Sequence, residues 1–295
     1  MGDFLFTGTG TALVTPFTPD GERIDHEAFC RHADMQIAGG VEALVVLGTT
    51  GENATIWPAE REKLVIAAIE HVDGRVPVIV GTGNNSTSES IVFSKQAEAA
   101  GADGLLVVGP YYNKPTQAGF KAHVQAIAAE TDCPIMLYNV PGRTSFNILP
   151  DTILELAQEI PSVVGIKEAS GSIAQIGDLI AGRPDHLAVY SGDDEMTLPL
   201  VAMGGHGVIS VVANVLPAAF SNLTRAALEG RLDDARQGHF DLLEAMRACF
   251  YETNPIPVKA MLAEMGRMDG RLRLPLVGIT DETLPRVIEA FRPHL

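Results

Sequence analysis

Eight short apolar runs rich in β-branched residues punctuate the chain: TALVTPF, ALVVLGTT, VPVIVGTG, GLLVVGPYY, PIMLYNV, VVGIKEAS, LAVYSGDD and GVISVVAN, beginning near residues 11, 43, 76, 104, 134, 163, 187 and 207. Each reads as a strand. Each is followed by a longer stretch whose apolar positions recur at helical spacing, as in PAEREKLVIAAIEHV and FKAHVQAIAAETD, and such stretches predict amphipathic helices. Strand then helix, eight times over, predicts a (β/α)8 TIM barrel. The strands are apolar on both faces, as expected of parallel strands between a barrel interior and a ring of helices. A doubly wound sheet would share that feature. The barrel is favoured by the count of eight, by the even composition, and by the polar and aromatic residues gathered at the strand ends: Thr49, Thr50, Tyr111, Tyr112, Tyr138, Lys167, Asp193 and Asp194. Active sites of such barrels lie at the C-terminal ends of the strands.

Beyond the eighth strand, RLDDARQGHFDLLEAMRACF, IPVKAMLAEMG and DETLPRVIEAF continue the helical spacing with no strand between them. They predict a C-terminal helical extension, and the expected division is a catalytic barrel over 1–230 and the extension over 231–295. No linker rich in Pro, Ser or charge separates the two, and no low-complexity segment interrupts the chain.

Composition narrows the function classes. The 295 residues are 46% hydrophobic with a formal net charge of −16; this allows a large core and argues against a nucleic-acid or anionic-membrane surface. MGDFLFTGTG lacks the basic segment and long apolar run of a signal peptide, and no stretch approaches the ~20 apolar residues of a membrane span. A cytoplasmic protein is expected. Cys30, Cys133 and Cys249 are odd in number and far apart, so they read as reduced thiols, mostly in the core. The eight histidines include no HExxH or other close pair, so the expected site holds no metal.

The lysines point to the chemistry. Lys63, Lys95 and Lys121 fall in amphipathic helices, Lys114 in the loop YYNKPTQ and Lys259 in the terminal helical part; Lys167, in GIKEASG, is the one inside a predicted strand. A salt bridge with Glu168 is the structural alternative, but successive strand residues point to opposite faces. Burial inside a barrel disfavours the charged form of an amine, and a free amine attacks ketones to form a Schiff base that serves as an electron sink. Making and breaking that bond moves protons. Tyr138, at the end of the preceding strand, is placed to relay them, although a strand-end tyrosine is also a common amphipathic plug. GTTGEN, at 48–53, is a turn with two hydroxyls and exposed N–H groups that can hold a carboxylate, or a plain hydroxyl-capped turn. GTGNNS lacks the third glycine of a dinucleotide fingerprint. The adjacent aspartates of SGDD read as a helix N-terminus more readily than as a cation site.

Six motifs, GTTGEN, PYYNKPTQ, YNVPGRT, GIKEASG, SGDD and GGHGVISVVANV, occur in an order and at separations that resemble the dihydrodipicolinate synthase family, within the class I pyruvate-dependent aldolases and lyases. The likeness runs from TALVTPF to NPIPVKAML and LRLPL, nearly the whole chain. It implies condensation of pyruvate with L-aspartate 4-semialdehyde in diaminopimelate and lysine biosynthesis, by a cofactor-free homotetramer built as a dimer of dimers. Residue by residue, it implies that Lys167 condenses with pyruvate and Tyr138 relays protons. Thr49 and Tyr112 complete the relay, Tyr112 being lent by the neighbouring subunit. Thr50 holds the pyruvate carboxylate, Gly192 and Ile209 line the pyruvate pocket, and Arg143 binds the carboxylate of the semialdehyde. Arg143 also discriminates against N-acetylneuraminate and 2-keto-3-deoxy sugar acid aldolases, which are similar in the lysine and tyrosine motifs but lack the GRT arginine. A catalytically silent keto-acid-binding homologue would have lost Lys167 or Tyr138, and this chain keeps both. The resemblance further implies a regulatory lysine site at Ala54, Asn85, Glu89 and Tyr111. Asn53, Pro58 and Arg61 depart from the serine and two histidines of lysine-sensitive members. Weak or absent inhibition by lysine is expected, with a solvent-facing Arg61 as the alternative.

Overall fold

In a computed structural model, which describes residues 4–295, eight parallel strands close into a barrel in chain order. They are β1 (Gly8–Ala12), β2 (Ala43–Val46), β3 (Val78–Gly81), β4 (Gly104–Val108), β5 (Ile135–Asn139), β6 (Val163–Glu168), β7 (Ala188–Ser191) and β8 (Gly207–Ser210). The helices are α1 (His26–Ala38), α2 (Pro58–Val72), α3 (Thr87–Ala100), α4 (Gln117–Ala128), α5 (Pro141–Thr144), α6 (Pro150–Glu159), α7 (Ile173–Gly182), α8 (Thr197–Ala202), α9 (Pro217–Leu228), α10 (Leu232–Ala248), α11 (Ile256–Glu264) and α12 (Thr283–Phe291). The sequence marks many of their starts. Asp25, Ser86, Thr116 and Ser172 cap α1, α3, α4 and α7 through side-chain oxygens that accept backbone N–H groups, and Pro58, Pro150 and Pro217 open α2, α6 and α9.

The first strand departs from the hydrophobic pattern. It is GTGTA, earlier than TALVTPF, and Leu13 to Phe17 lead out of the barrel. Thr9 and Thr11 face outward, bonding Thr224 and Gln36 of the surrounding helices. Gly10 and Ala12 face inward, and a Cβ on Gly10 would stand 2.9 Å from the Phe6 ring. Phe6 plugs that end of the barrel, stacked on Tyr190 with ring centroids 4.4 Å apart. A strand of small residues carries no apolar signal because a residue outside it supplies the filling.

The helices beyond residue 231 share a core with the barrel: Met246, Val258 and Phe291 pack in one cluster with Val14 and Val208. The first three residues of the N-terminal stretch lie outside the described residues. Among the described residues, no helix is long and apolar enough to cross a membrane. Cys133 and Cys249 are buried and Cys30 half-buried, and all three are free.

A buried histidine ties α1 to the loop after β8. Asn214 Nδ2 donates to the carbonyls of Ala12 and Val211, and its Oδ1 accepts from Val14 N–H. That Oδ1 therefore also accepts from His32 Nε2, 2.9 Å away. His32 Nδ1 is left as a lone pair with no partner, so a second proton would have no acceptor. Burial accordingly holds His32 down at about 4. An unfolded histidine titrates near 6.5, so between these values the unfolded chain binds a proton that the folded chain refuses. Stability present above pH 6.5 is thus lost as pH falls toward 4, by about 3 kcal/mol from this residue. In chemical denaturation at pH 7 and pH 4.5, His32→Gln should lose less stability between the two conditions than the parent. An equal loss would contradict this.

Candidate active site

The C-terminal strand ends and the segment 247–254 enclose a cavity of about 350 Å³. Six of the eight residues expected to act on substrate line it: Thr49, Thr50, Tyr138, Arg143, Lys167 and Gly192. Two do not. Ile209 is fully buried within the barrel, in one cluster with Tyr138 and Val45, because its side chain points inward from β8 below the cavity. Tyr112 is 91% exposed, in a loop where its own φ is +69°.

Lys167 stands beside Tyr138 of β5 and Tyr190 of β7 in the strand register. Its Nζ lies 4.3 Å from the centre of the Tyr138 ring, and among the described residues no carboxylate pairs with it. Glu168 points to the opposite face, where it accepts from Asn139, Gln175 and the Ser170 N–H; the structure thus sets aside a Lys167–Glu168 salt bridge. Gly192 is required by this packing. A Cβ there would come within 2.9 Å of Lys167 Cε and 2.8 Å of Ala169 Cβ.

The GTTGEN loop reverses direction between two residues in left-handed backbone, Leu47 at φ +59° and Glu52 at φ +53°. Gly51 and Glu52 N–H groups close the turn on the carbonyls of Gly48 and Thr49. Thr49 and Thr50 are thereby presented to the cavity. Arg143 sits in the short helix α5 at the mouth and donates to the Asn254 carbonyl at 3.4 Å, while Asn254 Nδ2 donates to the Thr50 hydroxyl at 2.9 Å.

Sequence reasoning missed part of the wall. Arg247, Phe250, Tyr251 and Asn254 reach it from the extension, and Arg247 pairs with Glu195 at 3.1 Å. Helical spacing in α10 makes Arg247 look like any surface arginine; Asn254, in NPIPVK, had a local motif but no assigned role. The aspartates of SGDD act as caps. Asp193 accepts from Glu195 N–H, and Asp194 accepts from the N–H groups of Val211 and Val212. Burial pushes Asp194 up to about 6. Among the described residues, no group of three or more His, Cys, Asp or Glu could hold a metal ion.

A second lysine is buried more completely than Lys167. Lys259 of α11 is fully buried and pairs with Glu52 at 2.7 Å. Burial pushes Glu52 up and Lys259 down, and their mutual attraction opposes both.

Of the four residues expected at a regulatory site, Ala54 and Glu89 are exposed, and Asn85 and Tyr111 are half-buried. Arg61 does not face solvent. It is buried, donates to the Gly81 carbonyl and stacks 4.3 Å above the Phe93 ring. Burial lowers it to about 10, and its charge and that of Glu89 both act on the Tyr111 phenol.

Known proteins resemble this chain along nearly its whole length. A 4-hydroxy-tetrahydrodipicolinate synthase of Salinibacter ruber is 62% identical over 292 residues, covering 98% of this chain and 96% of its own. The crystal structure of dihydrodipicolinate synthase from Thermotoga maritima superposes with a TM-score of 0.96 at 47% identity, covering 98% of both chains. The enzyme from Cyanidioschyzon merolae, solved with lysine bound, superposes with a TM-score of 0.96 at 38% identity, again over 98% of both. The profile of the dihydrodipicolinate synthetase family matches residues 5–292, and the chain belongs to that family.

Proposed function

We propose that the chain catalyses the condensation of pyruvate with L-aspartate 4-semialdehyde, the reaction of the 4-hydroxy-tetrahydrodipicolinate synthases, in diaminopimelate and lysine biosynthesis. The observation that carries this reading is one cavity holding a buried, unpaired lysine above a tyrosine ring, with an arginine at its mouth. The Lys167 amine attacks the keto carbon of pyruvate, and water leaves to give the imine. Loss of a methyl proton gives the enamine, whose terminal carbon attacks the aldehyde carbon of the semialdehyde. The substrate amine then attacks the imine carbon, expels the lysine amine and closes the ring. Tyr138 carries the protons, with Thr49 and with Tyr112 of a neighbouring copy; Thr50 holds the pyruvate carboxylate. Arg143 grips the semialdehyde carboxylate with a planar, always-charged donor.

An assembly of two dimers in the cytoplasm belongs to the same reading. The exposed Tyr112, which needs a second copy to enter a relay, and the three free thiols support it. So does weak or absent inhibition by L-lysine, since the buried Arg61 sets a positive charge beside Tyr111 that repels an ammonium.

A coupled assay tests the function directly. Pyruvate with L-aspartate 4-semialdehyde should turn over, and pyruvate with N-acetylmannosamine should not; the reverse result would overturn the reading. In the same assay, Arg143→Ala should lower kcat/KM for the semialdehyde by the equivalent of about 2 to 3 kcal/mol. Unchanged kinetics would leave Arg143 with only its contact to Asn254. Titration with L-lysine at saturating substrates should leave activity largely intact, and half-inhibition in the micromolar range would contradict the effect assigned to Arg61.

A further inference from the structure

The GTTGEN loop is gripped from below by α11 at two points. Asn254, just before the helix, donates to the Thr50 hydroxyl at 2.9 Å. One and a half turns on, Lys259 Nζ donates to Glu52 Oε1 at 2.7 Å and to the Thr15 carbonyl at 2.9 Å, and lies 4.3 Å from the centre of the Phe17 ring. Thr15 returns the contact: its hydroxyl donates to the Gly51 carbonyl at 2.7 Å. Arg273 closes the far side, its N–H meeting Glu52 Oε2 at 3.3 Å and its guanidinium lying 4.4 Å from the same Phe17 ring while pairing with Glu60.

This arrangement is hard to explain as stabilisation. A buried ion pair gains little over well-packed apolar residues of the same volume, since both charges must be desolvated. Here the anion also sits on left-handed backbone, at φ +53°, which a glutamate adopts only when its surroundings impose it. What the pair does secure is direction. With its carboxylate held on both oxygens, Glu52 allows the turn one geometry, and that geometry presents Thr49 and Thr50 to Lys167.

We infer that Lys259 is a positioning residue for the reaction: through Glu52 and Thr15 it fixes the loop that places the Thr49 and Thr50 hydroxyls in the cavity, although it does not line the cavity itself. The inference rests on the reaction proposed above. Its chemistry is electrostatic, and no step of the reaction passes through Lys259.

The test uses Lys259→Met and Glu52→Gln, each alone and combined with Thr49→Val, in the full chain. Folding is checked by near-UV circular dichroism, and kcat and the KM for pyruvate are measured well below each unfolding midpoint. Glu52→Gln keeps the volume but removes the charge and one of the two acceptors, setting an NH2 donor against either the Lys259 ammonium or the Arg273 N–H, so it reports on charge and geometry where Lys259→Met strains the fold. Each single variant, folded, should lose about ten-fold or more in kcat, as expected when reacting groups are misplaced by an ångström or less. The further loss in the Thr49→Val background should shrink to about three-fold or less, because two changes acting through the same loop are not additive. Folded variants with kcat and KM within about two-fold of the parent, or fully additive losses, would overturn the inference. So would failure of both single variants to fold, since the pair would then serve folding itself. A parent without turnover on pyruvate and semialdehyde would instead refute the proposed reaction.

Discussion

An amine buried at the end of a barrel either has a counter-charge beside it or is left without one, and among the described residues this chain has one lysine in each condition. Lys259 has a carboxylate, a carbonyl and an aromatic face around its amine. Lys167 has the Tyr138 ring beside it and, among the described residues, no carboxylate partner, with Glu168 turned away to the other side of β6. The difference follows from position in the fold. A strand residue facing the barrel mouth looks into the cavity, whereas a residue on α11 looks into the packed seam between helix and loop. One arrangement leaves an amine facing the cavity, as the proposed reaction requires, and the other uses an equal charge to hold a turn.

That seam is why the barrel alone does not make the site. Its strand ends supply Lys167, Tyr138, Thr49 and Thr50, but the position of Thr50 depends on Asn254, and Arg143 bonds the Asn254 carbonyl. The wall opposite the strands comes from Arg247, Phe250 and Tyr251. The helices after residue 231 therefore complete the cavity as well as covering apolar surface, and they share a core with β8 and the segment after β1.

Most of the barrel was legible because seven strands lie in short, nearly continuous apolar runs, as expected of strands buried on both faces. GTGTA was not, because Phe6 fills the space its own side chains leave. Lys167 was legible as the lysine out of place in an apolar strand. Lys259 was not, since helical spacing marks a residue as inside or outside a helix face without saying what lies against that face. The same blindness placed Arg61 in solvent as an alternative, when it is buried against Phe93 and Gly81. It also hid Arg247, whose helix gives no sign that the barrel mouth lies beside it. Ile209 was expected, from the resemblance, to line the pyruvate pocket, but its depth depends on the inward alternation of β8, which a four-residue run leaves undetermined.

The account turns on which buried lysine is chemically free. Incubation with pyruvate and borohydride, followed by peptide mapping, should find one reduced pyruvate adduct, on the peptide containing Lys167, with Lys259 unmodified and Lys167→Arg giving no adduct. An adduct on Lys259, or trapping that survives Lys167→Arg, would contradict it.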